Sequence, residues 1–237
     1  MTAHAVVHVA RAGTRSRDAL RDSGIVLSCQ GLRVGAGGTA LVDDVWFDVR
    51  AGEAYGLIGA EGAGKSTVLL AVCGLLRVDA GTVLLDGHRL DAPARAELVG
   101  HALRDAVILP SATVFENLRF WARVLGRERV AEVVSVVGLG EYADIAVDRC
   151  SAGVRRAIGL AVALLPGPRL LVLDELTGGL DRPDAEWLLG TVRRLRERGT
   201  SVLYAGRQED DVRSVCDRLG VLDRGRLTAD RAHVPAA

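Results

Sequence analysis

Gly59-Ala60-Glu61-Gly62-Ala63-Gly64-Lys65-Ser66-Thr67 satisfies G-x-x-x-x-G-K-[ST] at every position, and few nine-residue stretches restrict a fold so tightly. Such a loop closes its backbone N–H groups around phosphate oxygens only when a buried strand leads into it and a helix begins at its end. Both flanks are present. Ala54-Tyr55-Gly56-Leu57-Ile58 reads as a short buried strand, and Lys65 to Leu76 as a helix with apolar Val68, Leu69, Val72 and Leu76. The chain carries 30 Lys and Arg residues, yet Lys65 is its one lysine. Lys65 is expected to reach the β- and γ-phosphates and the Ser66 hydroxyl to meet Mg²⁺, while the main chain from Gly59 to Thr67 surrounds the phosphates. The expected ligand is a nucleoside triphosphate with magnesium.

A second acidic element completes that expectation. Arg169-Leu170-Leu171-Val172-Leu173-Asp174-Glu175 is an apolar strand ending in two carboxylates. A buried strand of this kind delivers Asp174 beside the phosphates, where it can hold Mg²⁺. It places Glu175 where it can orient or deprotonate an attacking water.

The surrounding chain reads as α/β. Ile25-Val26-Leu27 and the alternating Val45, Phe47 and Val49 predict an antiparallel piece, and Thr82 to Leu85 a strand closed by Asp86-Gly87. From about Pro93 to Leu165 the periodicity is helical, with segments near 114–125, 128–138 and 152–165, which predicts an inserted helical subdomain. Strands at 170–173, 201–204 and 219–222 then alternate with helices near 183–197 and 208–217. That alternation predicts a mostly parallel sheet, the core of a P-loop NTPase. Residues 1–24, with four arginines among small and polar side chains, read as a mobile arm, residues 25–229 as the nucleotide-binding domain and 230–237 as a short tail.

Composition removes several functions. Thirty acidic and thirty basic residues cancel, so no electrostatic grip on nucleic acid is expected. No apolar run reaches the length of a membrane span and no signal peptide is visible, which places the expected site of action in the cytoplasm. Cys29, Cys73, Cys150 and Cys216 lack metal-ligand spacing and read as reduced thiols.

From Ile25 to Ala229 the chain resembles the ATP-binding subunits of ABC transporters, with wording most like the ABC-2 type exporter branch. The resemblance is carried by the P-loop with its strand, by Thr113-Val114-Phe115-Glu116-Asn117-Leu118, by Cys150-Ser151-Ala152-Gly153-Val154-Arg155-Arg156 at the family signature, by Leu173 to Asp181, and by Cys216 to Gly225. It implies that the nucleotide is ATP and that two nucleotide-binding domains, identical or paralogous, close head to tail. In that arrangement Ser151 and Gly153 donate to the γ-phosphate held by the partner, and Asp181 belongs to the loop between the two sites. It also implies a separate integral membrane permease, docked around Arg104 to Asn117, with this chain peripheral on the inner face of the membrane.

The departures from the family pattern concern catalysis. Arg104 stands where a glutamine would approach Mg²⁺, and Arg207 where a switch histidine would orient water. Arg207 is able to grip a γ-phosphate, and by pairing with Glu175 would make that carboxylate a less effective base. Val34 occupies the position of the aromatic residue that stacks on adenine. Each lost positioning group costs about 10² to 10³ in rate, so the expected hydrolysis is weak or partner-dependent. Two other readings stay open: a fully active transporter ATPase that tolerates both arginines, and a nucleotide-dependent regulatory or scaffold protein outside transport.

Overall fold

The computed structural model describes residues 24–37, 39–103 and 108–232. The expected arm up to residue 23, and Arg104, lie outside them.

Two sheets organise the chain. β1 (Ile25–Ala36), β2 (Thr39–Arg50) and β4 (Ala80–Leu85) form an antiparallel sheet in the order β2-β1-β4. The second sheet runs β5-β6-β7-β3-β8-β9, where β3 is Ala54–Ile58, β5 Val99–Ala102, β6 Leu170–Asp174, β7 Ser201–Ala205, β8 Arg218–Asp223 and β9 Arg226–Ala232. All its pairings are parallel except β8 with β9.

Every residue of β3, β6 and β7 is buried, because helices cover both faces. This is why these strands read as continuous apolar runs. α1 (Lys65–Cys73) packs on β6 and β7 from the side of the antiparallel sheet, where Leu27, Val45, Leu57, Val68 and Leu203 share one core. The other face is covered by α5 (Ala152–Leu164), α6 (Arg182–Glu197) and α7 (Glu209–Val215), and α5 also packs with α3 (Val114–Val124) and α4 (Val130–Val137). α3 starts at a reciprocal cap: Thr113 Oγ1 accepts from the Glu116 amide at 3.1 Å, and Glu116 Oε2 accepts from the Thr113 amide at 2.9 Å.

Three boundaries differ from the sequence expectation. α1 stops at Cys73 rather than Leu76, since Gly74 takes φ 74° and the Leu75 amide turns back to the Leu70 carbonyl at 2.9 Å. The stretch from Pro93 is not all helical lobe: α2 (Ala92–Leu98) passes directly into β5, which pairs with Leu170–Leu173 and belongs to the core sheet. Its four residues include Gly100 and His101, and Gly100 is required because a Cβ there would sit 2.0 Å from the Ala163 carbonyl oxygen. At the other end, β9 takes in residues 230–232 of the expected tail through its pairing with β8.

Candidate functional site

The order β6-β7-β3 decides the geometry of the site. These strands are parallel neighbours, so the loops leaving their carboxyl ends meet on one edge of the sheet. The loop after β3 is Gly59 to Gly64, β6 ends in Asp174 and leads into Glu175, and the segment after β7 carries Gly206 and Arg207. Because β7 lies between the other two, Arg207 stands between the phosphate-binding loop and the acids.

The glycines of the loop are dictated by close approach. Gly59 takes φ 152°, and a Cβ on it would fall 2.1 Å from the Leu222 carbonyl oxygen. Gly64, at φ 100°, would meet the Leu41 carbonyl oxygen at 2.8 Å. Gly59→Ala is therefore expected to lose about 2 kcal/mol or more of stability by forcing backbone apart. Chemical denaturation would measure it, and a loss within about 0.5 kcal/mol would contradict the tight fit.

Lys65 is buried at the start of α1, with Nζ donating to the Gly59 and Ala60 carbonyls at 2.7 and 2.9 Å. Burial lowers its pKa from the usual lysine value, while the charges of Glu175 and Asp174 oppose that shift. Lys65 and both acids thus share one electrostatic environment. Ser66 is exposed in the first turn, and Thr67 half-buried behind it. A hydroxyl from Ser66 and a carboxylate from Asp174 fit Mg²⁺, which completes its shell with phosphate oxygens and water rather than with a protein cage.

Asp174 and Glu175 are both nearly closed to solvent. Glu175 takes φ 52°, and its amide donates to the Ala205 carbonyl at 2.8 Å. Arg207 bridges two carboxylates: Nη1 lies 2.8 Å from Glu61 Oε2, and Nε 3.5 Å from Glu175 Oε2. The hydrogen bond to Glu61 is the first cause that raises the Arg207 pKa above its ordinary value, followed by the charges of Glu61 and Glu175. Pairing of Arg207 with Glu175 was expected. The stronger contact with Glu61 was not, since sequence reading took Glu61 only as a main-chain member of the loop.

Beside this bridge lies a cavity of about 440 Å³ lined by Arg156, Glu175, Gly178, Gly179, Arg207 and Gln208. The Nη1 atom of Arg156 is buried without a hydrogen-bond partner. Gln208 forms part of the same wall, so it shares the cavity with Glu175.

One expected ligand contact is corrected. Val34 is 3 % exposed, faces Val42 across β1 and β2 and packs in the core, so its side chain is not presented to a base. Strand alternation turns it inward, and a motif offset does not reveal which face a position takes.

Residues 42–178, more than half of the chain, match the model of the ABC transporter family. The chain belongs to the ABC transporter family. It is 32% identical over 212 residues to the linearmycin resistance ATP-binding protein LnrL of Bacillus subtilis (strain 168), covering 86% of this chain and 68% of that protein. To the Fe(3+) ions import ATP-binding protein FbpC of Streptomyces coelicolor it is 39% identical over 210 residues, 85% of this chain and 60% of FbpC. It thus spans about three fifths to two thirds of these relatives' lengths. A dimeric post-hydrolysis ATP-binding cassette bound to ADP and Pi superimposes with a TM-score of 0.77 at 21% identity, covering 87% of this chain and 98% of that one, which shows the shared fold. The chain is an ATP-binding domain of this family with a P-loop NTPase fold. Among the described residues no helix is long and apolar enough to cross a membrane.

The segment at the place of the family signature lies at the amino end of α5. Ser151 is the cap of that helix, and its Oγ accepts from the Val154 amide at 3.1 Å. Asp181 caps α6, accepting from the Asp184 amide at 3.0 Å. Sequence reading also passed over Asp184, whose carboxylate touches Ser151 and Gly153. A first-turn helix acid is common enough to give no signal of its own.

Proposed function

We propose that this chain is the ATP-binding subunit of an ABC exporter, acting with a separate membrane permease and a second nucleotide-binding domain, with slow hydrolysis. The observation that carries the slow step is Arg207 spanning Glu61 and Glu175. Lys65 and the loop amides would bind the triphosphate, and Ser66 and Asp174 would hold Mg²⁺, whose charge would neutralise that of the phosphate oxygens. Glu175 would orient the attacking water and take its proton. A guanidinium beside Oε2 competes with that water for the same carboxylate, and Arg207 cannot accept a proton as an imidazole does. Export is supported by the exporter-like wording of the motifs and by the likeness to a resistance protein, although FbpC carries an import name.

Docking at the permease is best supported beside β5, where a cavity of about 570 Å³ runs between Leu75, Arg95, His101, Trp121, Leu125 and Ile158. Leu109, Phe120 and Val124 are exposed apolar residues in the neighbouring loop and helix. Asn117, an expected end of the docking surface, is fully buried and pins its own loop: Oδ1 accepts from the Leu109 amide at 2.7 Å, and Nδ2 donates to the Leu109 and Thr113 carbonyls at 3.0 Å. A photo-crosslinking residue at Phe120 should label an integral membrane protein in native membranes. The same probe at Thr228, on the opposite edge strand β9, should not. Equal labelling from both positions, or none from Phe120, would remove the permease-docking assignment.

A further inference from the structure

We propose that the Asp184 carboxylate is an internal plug in the ABC signature: it occupies the donors intended for the partner's nucleotide and must swing out before two domains close. The proposal rests on the head-to-tail dimer of the preceding reading and concerns how that site is held off.

The contact is specific. Ser151 Oγ donates to Asp184 Oδ2 at 3.3 Å, and the Gly153 amide donates to the same oxygen at 3.2 Å. These are the two groups that would donate to a γ-phosphate across the dimer. They sit at the amino end of the 13-residue helix α5, whose dipole favours an anion, and Asp184 supplies one from within the chain. Gly153 admits it: a Cβ at that position would lie 2.2 Å from the Asp184 Cγ, so any side chain would expel the carboxylate.

Asp184 also has a fixed base. Its amide donates to Asp181 Oδ1 at 3.0 Å, which ties the plug to the loop expected to run between the two nucleotide sites. An incoming phosphate would meet both occupied donors and a like charge a few ångströms away. Two outcomes are open to it: displacement of the carboxylate or weaker closure. Movement of the loop around Asp181 as the second domain approaches would withdraw the carboxylate from Ser151 and Gly153 together, so closure and unplugging would be one event.

A purely structural tether between α5 and α6 makes the opposite prediction, which allows a clear test. In a Glu175→Gln background, ATP-dependent self-association of the full chain is followed by sedimentation with Asp184 retained, or changed to Ala or Asn. Asp184→Ala is expected to tighten the ATP-dependent dimer about 5-fold, and Asp184→Asn to do so less, because the amide keeps the shape while losing the charge. Dimerisation without ATP should not change. If the parent dimerises with ATP and both variants are equal to it or weaker while still folded by circular dichroism, the plug is wrong and Asp184 is a tether. If neither the parent nor any variant dimerises with ATP, this chain does not close head to tail on a copy of itself, and the plug, which is stated for that dimer, falls with it.

Discussion

Lys65→Ala is expected to lower ATP affinity at least about 100-fold, the largest effect of any single change in the site. The ammonium is held at the loop by the Gly59 and Ala60 carbonyls, ready to exchange them for phosphate oxygens. Its cradle is narrow, because Gly59 and Gly64 bring main chain within contact of Leu222 and Leu41. Arg207, beside the same loop, is engaged with two carboxylates, and the sequence holds no second lysine. Lys65→Arg should recover little, since the planar fork is larger than the point charge it replaces. Isothermal titration with Mg-ATP measures both variants, with circular dichroism confirming the fold. An affinity within about 3-fold of the parent would remove the phosphate-binding assignment.

Arg207→His is expected to raise turnover about 10-fold at saturating Mg-ATP when combined with Glu61→Gln. The histidine returns a group able to orient water and releases Glu175 from the guanidinium. On its own the change has a second consequence. Glu61 stands in the phosphate-binding loop with Arg207 as its counter-charge at 2.8 Å, so Arg207→His leaves a carboxylate where the triphosphate must enter. The single variant should therefore show higher kcat with a KM raised about 2- to 5-fold, a modest effect because Glu61 is exposed and screened. Neutralising Glu61 in the same chain should return KM to the parental value. Arg104→Gln added to this pair should give non-additive gains, since both arginines would act on one transition state. Phosphate release with the partner domain present is the measurement, and Glu175→Gln should abolish every gain. A parent that already turns over about 1 to 10 times per second, with no faster variant, would overturn the slow-hydrolysis reading.

The elements of the candidate site were legible in the linear chain because their pattern is local. Gly59 to Thr67 are consecutive, their strand and helix adjoin them, and Asp174 with Glu175 ends an apolar run that a buried parallel strand requires. Burial on both faces also made β6 and β7 readable as strands. β5 was not readable, because four residues interrupted by Gly100 and His101 become a strand only by pairing with β6.

What the sequence by itself determined is the fold family, the P-loop motif and the acidic end of the strand expected beside it, since each depends on residue type at fixed spacing. Tertiary structure alone decided the facing and the pairing of side chains. Val34 turns into the core because of the register between β1 and β2, and Asn117 serves its own loop rather than a partner. Arg207 reaches Glu61 across 146 positions because β7 lies between β3 and β6 in the sheet. Asp184 reaches the signature across 31 to 33 positions because α5 and α6 pack side by side. Charge pairs and anion contacts form between side chains a few ångströms apart, and in a chain wound into layers that distance is set by packing, not by separation along the sequence.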